Sequence, residues 1–250
     1  MGAKAVPVKR LCGWRVTLGA VLVVSLASAG WAKKKPHDDR TILWQPSAAG
    51  CSLELAKTDY LDRYLLRKGD WEIALSVDAR ELTQSQRRAG HVVGVLLSVR
   101  NSGATPVLVK QSAASLEFVH HSQWQFSSWD PDNLASHIQH QTDDLMTQTD
   151  KDLEHRPEKV EKNEDRLREH QKLVSEMLDF LSTKALKDAT LDATTPEVSG
   201  WVFFPSRGKW VGGWKKQEDF VFRIPVGEWV VEFPFRLPPE GRPGLKERPD

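Results

Sequence analysis

Trp129-Asp130-Pro131-Asp132-Asn133-Leu134-Ala135-Ser136-His137-Ile138 is where the chain changes its apolar period, and that change decides the fold. No tryptophan follows Trp129 until Trp201, and no glycine lies between Gly103 and Gly200, in a chain otherwise rich in both. Asp130 to Asn133 supplies capping side chains ahead of Leu134, as helix starts do. Leu134, Ile138 and Leu145 then share one helical face, with Met146 and Leu153 beside it. Pro157 breaks the run, because it disfavours helical geometry at Arg156 and removes a backbone donor. It also suits the first position of a second helix, where Glu158 and Glu161 favour the helix dipole. Val160, Leu167, Val174 and Leu181 recur at intervals of seven, and Leu173, Met177, Leu178 and Phe180 widen the apolar face toward the end. The interval predicts an insertion over residues 132–188, a helical hairpin with an apolar base near Val174 to Leu186 and a polar tip near Arg156-Pro157. At 1.5 Å per residue a helix from Glu158 to Lys187 is ~45 Å long, so part of it should project beyond a small β-domain. A parallel coiled-coil dimer is the rival reading. It is disfavoured by Pro157, Glu164 and Gln171 at the complementary heptad positions.

On both sides the period is two. Trp71-Glu72-Ile73-Ala74-Leu75-Ser76-Val77-Asp78 alternates large apolar against small or polar residues, as a half-buried strand does. His91 to Arg100 repeats the pattern, with Val93, Val95, Leu97 and Val99 on one face. Asn101-Ser102-Gly103 then turns the chain into Pro106 to Val109. Ser115 to Val119 and Gln123 to Ser127 read as short strands joined at His120-His121-Ser122. Gly200 to Phe204 and Lys209 to Trp214 flank a turn at Pro205-Ser206-Arg207-Gly208, and Glu218 to Ile224 leads through Pro225-Val226-Gly227 into Glu228 to Leu237. Pro234 has no N–H to give a ladder, which places the last strand at a sheet edge at that point. Tyr60, Leu61, Tyr64 and Leu65 fit a helical turn better than a strand, and Asp78 to His91 is a polar loop or short helix. With Cys51 to Ala56, these strands predict a split β-sandwich over 51–131 and 199–237.

The strand–Asn101-Ser102-Gly103–strand segment and the closing Phe222-Arg223-Ile224-Pro225-Val226-Gly227…Phe233-Pro234-Phe235 resemble the immunoglobulin-like sandwiches of secreted bacterial proteins of uncharacterised function. The resemblance spans roughly forty residues of turn chemistry that many sandwiches share, so it implies a fold and no activity. The paired cysteines of antibody-type domains are not part of it.

Lys4, Lys9, Arg10 and Arg15 precede an uncharged apolar run, Val16 to Ala29, and small residues follow. This is the pattern of a secretory signal peptide, expected over 1–32, with cleavage after Ala29 or Ala32. The run is shorter than the ~20 residues a spanning helix needs. Lys33, Lys34 and Lys35 favour the alternative, an uncleaved inner-membrane anchor. The protein is therefore expected to be exported, periplasmic or extracellular, with no stable membrane span after cleavage. Residues 33–50 read as an extended linker and 238–250 as a disordered proline-rich tail. Cys51 stays alone in the mature chain and reads as a small buried apolar residue. Formal net charge falls from +1 to −3 when Lys4, Lys9, Arg10 and Arg15 leave with the signal, which gives no electrostatic case for nucleic acid.

No His-Glu-x-x-His, Gly-x-Ser-x-Gly, P-loop or Cys-x-x-Cys motif is present. His137, His140 and Asp144 form a stripe about 100° from the apolar face of the first helix, which is its solvent side, so neither a metal nor any other cofactor is assigned. The leading functional reading is a non-catalytic protein whose β-sandwich presents the hairpin to a protein partner, through Glu154, Arg156, Lys159, Lys162 and Arg166 near the tip. The alternative is a glycan or cell-wall binding module in which Trp201, Trp210 and Trp214 stack on sugar rings. A periplasmic hydrolase with the hairpin as lid ranks third.

Overall fold

The computed structural model describes residues 40–55, 60–81, 87, 90–119, 125–155, 160–206 and 218–237. The expected signal segment, residues 33–39 of the linker, the His120-His121-Ser122 joint, Pro157, the strand over Lys209 to Trp214 and the tail lie outside them. Within them the chain is mainly β, in two sheets, with two helices inserted between strands.

One sheet holds, in order, β10 (Glu197–Pro205), β5 (Val92–Asn101), β4 (Trp71–Asp78), β3 (Leu61–Lys68) and β2 (Cys51–Glu54), every pair antiparallel. The other runs β1 (Thr41–Leu43), β12 (Trp229–Leu237), β11 (Glu218–Val226), β6 (Val107–Val109) and β9 (Ala189–Leu191), with β7 (Ser115–Phe118) between β11 and β8 (Gln125–Ser127). The alternation predicted from sequence sets their facing sides. Ile73, Leu75 and Val77 from β4 and Val93, Val95, Leu97 and Val99 from β5 meet Phe220, Phe222, Ile224, Val231, Phe233 and Phe235 in one core. Cys51 packs at the margin of this core.

Leu61 to Lys68 is a strand, where the sequence favoured a helical turn at Tyr60 to Leu65. Tyr64 and Leu66 turn inward while Leu61 and Leu65 turn away, and β2 and β4 supply backbone partners on both sides. Four residues spaced to suit either period cannot reveal such partners, and tertiary pairing overrides the local preference.

The segment read as linker contributes β1, which pairs in parallel with β12, and then Trp44. The Trp44 indole donates to the Leu65 carbonyl at 2.9 Å and meets Tyr64 edge-on at 5.0 Å, tying the two sheets together. Pro234 follows the expectation for a sheet edge. Val230 points its N–H at the Arg40 carbonyl, and Pro234, four residues on, turns its nitrogen to the same side, beyond the end of β1.

Candidate functional site

The helices α1 (Pro131–His155) and α2 (Val160–Lys184) root on the outer face of the first sheet. Along β10, Val202 and Phe204 enter the main core, so Trp201 and Phe203 must face outward. Phe203 with Val92 of β5 receives Leu134 and Ile138 from α1 and Val174, Met177 and Leu181 from α2, forming a second core. Phe180 lies edge-on to both Trp201 and Phe203. The helices run antiparallel, with Thr142 3.5 Å from His170 and Gln171 3.5 Å from Met146.

The root is stitched where the chain enters and leaves. Trp129 N–H donates to the Phe203 carbonyl and Leu186 N–H to the Trp201 carbonyl, both at 2.8 Å, so the insertion covers the free edge of β10. Gly200 permits this approach, because a Cβ there would lie 2.7 Å from the Leu186 nitrogen. A short 3₁₀ turn, Gln111–Ala113, holds both ends at once. The Gln111 amide donates to the Trp129 carbonyl, and the Asp188 carboxylate accepts from Ser112 N–H and Oγ–H. Asp130 caps α1, its Oδ1 accepting from the backbones of Asp132 and Asn133.

Beneath the root lies an ion pair that no sequence pattern pointed to. Glu81 and Arg87, in the connection between β4 and β5, have side chains 0% and 2% exposed. Arg87 Nε donates to Glu81 Oε1 at 2.9 Å, and the Gly94 N–H of β5 donates to the same oxygen at 2.6 Å. The guanidinium lies 4.5–5.0 Å from the ring centres of Phe180, Trp201 and Phe203 and donates to Met177 Sδ. Strand and helix together thus cage one cation. Burial pushes the Glu81 carboxyl up to about 7, against the opposing pull of Arg87 and the Gly94 N–H, and Asp78 adds to the rise.

Away from the root most of the described residues of the hairpin are exposed. Lys162 and Arg166 are solvent-facing on α2, and Glu154 lies in the last turn of α1. Arg156 and Lys159 fall outside the described residues, as do Trp210 and Trp214. Trp201 is partly buried under α2, with its ring engaged by Phe180, Phe203 and Arg87, which removes it from the open aromatic platform that sugar stacking needs. His140 and Asp144 are exposed on α1, and the His137 ring leans on Trp129 at 5.0 Å. Among the described residues no group of three His, Cys, Asp or Glu side chains has metal-binding geometry.

Two open crevices flank Trp129. One, of about 550 Å³, is lined by Ser112, Ser127, Ser128, Asp130 and Asn133. The other, of about 340 Å³, lies between α1 and the end of β10, with His91, His137, Gln141 and Ser206 over Val92 and Leu134. His170 is held below its ordinary value by burial and by the nearby Arg166 and His91. No nucleophile–base pair is hydrogen-bonded in either crevice among the described residues. Among the described residues, no helix is long and apolar enough to cross a membrane. Compared with known proteins, the chain matches no family model, no curated protein and no solved structure.

Proposed function

We propose that the protein is an exported, non-catalytic one whose β-body holds the helical hairpin out for a protein partner. Contact is made by its outer half, through Lys162 and Arg166 together with Glu154, Arg156 and Lys159. One observation carries the reading: the hairpin is over-secured at its root and exposed beyond it. Four backbone and side-chain attachments and a second core fix the base, whereas Asp143, Asp144, Lys162, Glu164 and Arg166 face solvent. A rigidly held, charged arm loses little ordering entropy on binding. Export rests on the basic, apolar and small-residue pattern of the first 32 residues. The finer description of the β-body as immunoglobulin-like rests on the turn chemistry of Asn101-Ser102-Gly103 and Pro225-Val226-Gly227.

The test uses the full chain carrying Lys162→Glu and Arg166→Glu, compared with wild type by in-cell cross-linking and by fractionation. Both residues are exposed, so the melting temperature should be unchanged while the cross-linked partner disappears. Should the same partner be captured undiminished by this variant, and by one whose helices stop one turn beyond Thr142 and His170, the reading fails.

A further inference from the structure

We propose that Glu81 and Arg87 form a proton-coupled latch: the hairpin seats most firmly on β10 when Glu81 carries a proton, and loosens when that proton leaves. The argument begins with the two oxygens of one carboxyl group. Oε1 accepts both available donors, Arg87 Nε–H and Gly94 N–H, while Oε2 is buried with no hydrogen-bond partner among the described residues. An ionised carboxylate with one oxygen buried and unpartnered is the expensive state. A proton on Oε2 removes that charge and leaves both bonds to Oε1 in place. Arg87 keeps its charge, and three aromatic rings and Met177 Sδ hold it whether or not Glu81 is ionised.

The hairpin enters because half of this enclosure belongs to it. Met177 and Phe180 come from α2, Trp201 and Phe203 from β10, and none of the four titrates. Among the described residues the charged groups facing Glu81 are Arg87 from its own loop and Asp78 from the end of β4. When α2 lifts, water reaches the pair and Glu81 returns toward its ordinary value of 4.5, from about 7 in the seated state. The sign follows. Between these two values the seated state binds more proton than the lifted one, so seating weakens as pH rises through that window and levels off above it. His170, also on α2 and held low by burial, has the opposite sign: protonating it in acid opposes seating.

The experiment is hydrogen exchange of the full chain from pH 5.5 to 8.5, corrected for intrinsic rates, following peptides across Val174–Lys184 with β11 as internal reference. Opening of the α2 root should rise on the order of twentyfold between pH 5.5 and 7.5, relative to β11. Glu81→Gln, which keeps an Oε1 acceptor but cannot titrate, should abolish that rise and leave only the weaker, opposite trend from His170. Arg87→Met withdraws the cation that favours the carboxylate and should move the upper inflection to higher pH. The latch is overturned if wild-type opening does not rise with pH, if Glu81→Gln retains the rise, or if Arg87→Met leaves the inflection where it was.

Discussion

Replacing Gly200 with alanine asks whether the root of the hairpin is stitched to β10 or merely rests on it. Gly200 has ordinary backbone geometry, so alanine meets no conformational penalty there; the obstacle is steric. The added Cβ would stand 2.7 Å from both the nitrogen and Cα of Leu186, and 3.1 Å from the Ala185 carbonyl carbon. All three are backbone atoms, so no side chain can swing aside, and the 185–186 segment must lift off the strand. Overpacking of this kind costs about 1–3 kcal/mol. The lift also stretches the 2.8 Å bond from Leu186 N–H to the Trp201 carbonyl, worth about 1 kcal/mol. A loss of about 2–4 kcal/mol corresponds to a fall in Tm of about 4–16 °C for a domain of this size. Gly69→Ala is the companion measurement. Gly69 has φ +59° with nothing within 4 Å of the new Cβ, so it tests backbone strain alone, about 1 kcal/mol, with no effect on the hairpin. Urea unfolding gives both magnitudes, and hydrogen exchange at Leu186 shows where the damage lies. A Gly200→Ala protein within 0.5 kcal/mol of wild type, with Leu186 still protected, would refute the stitched root.

Two further substitutions probe the second core and the start of the hairpin. Leu181→Ala, at a side chain 2% exposed, should cost about 2–4 kcal/mol in denaturant unfolding, whereas Lys162→Ala on the exposed face should stay within about 0.5 kcal/mol. Asp130→Ala removes the acceptor for two backbone donors and should cost about 1 kcal/mol, read as increased exchange confined to the first turn of α1; Asp130→Asn should recover most of it.

Deleting the hairpin outright is a poorer experiment than the sequence implied. An insertion read from its period looks detachable, and excising Asn133–Lys187 promises a folded remainder. In the fold that excision would bare Val92, Trp201 and Phe203 and hydrate the Glu81–Arg87 pair. Shortening only the outer half leaves those groups covered.

Local sequence alone determined which residues of the long strands face inward, where the first helix begins, and which helical face is apolar. Each is a local matter, set by side chains two, three or four residues apart. Val93, Val95, Leu97 and Val99 enter the main core as their alternation requires, and Asp130 caps α1 as its position suggests. Only the tertiary structure decided what covers the second face of the first sheet. Trp201 and Phe203 alternate with Val202 and Phe204 in one strand, and nothing in that alternation distinguishes a face open to sugars from one closed by a helix. The same holds for Glu81 and Arg87, two charges in a polar stretch without period. They turn inward because a backbone N–H, three rings and a thioether from distant parts of the chain converge on them. Burial of a charge is settled by partners far away in sequence, and a local pattern carries no record of them.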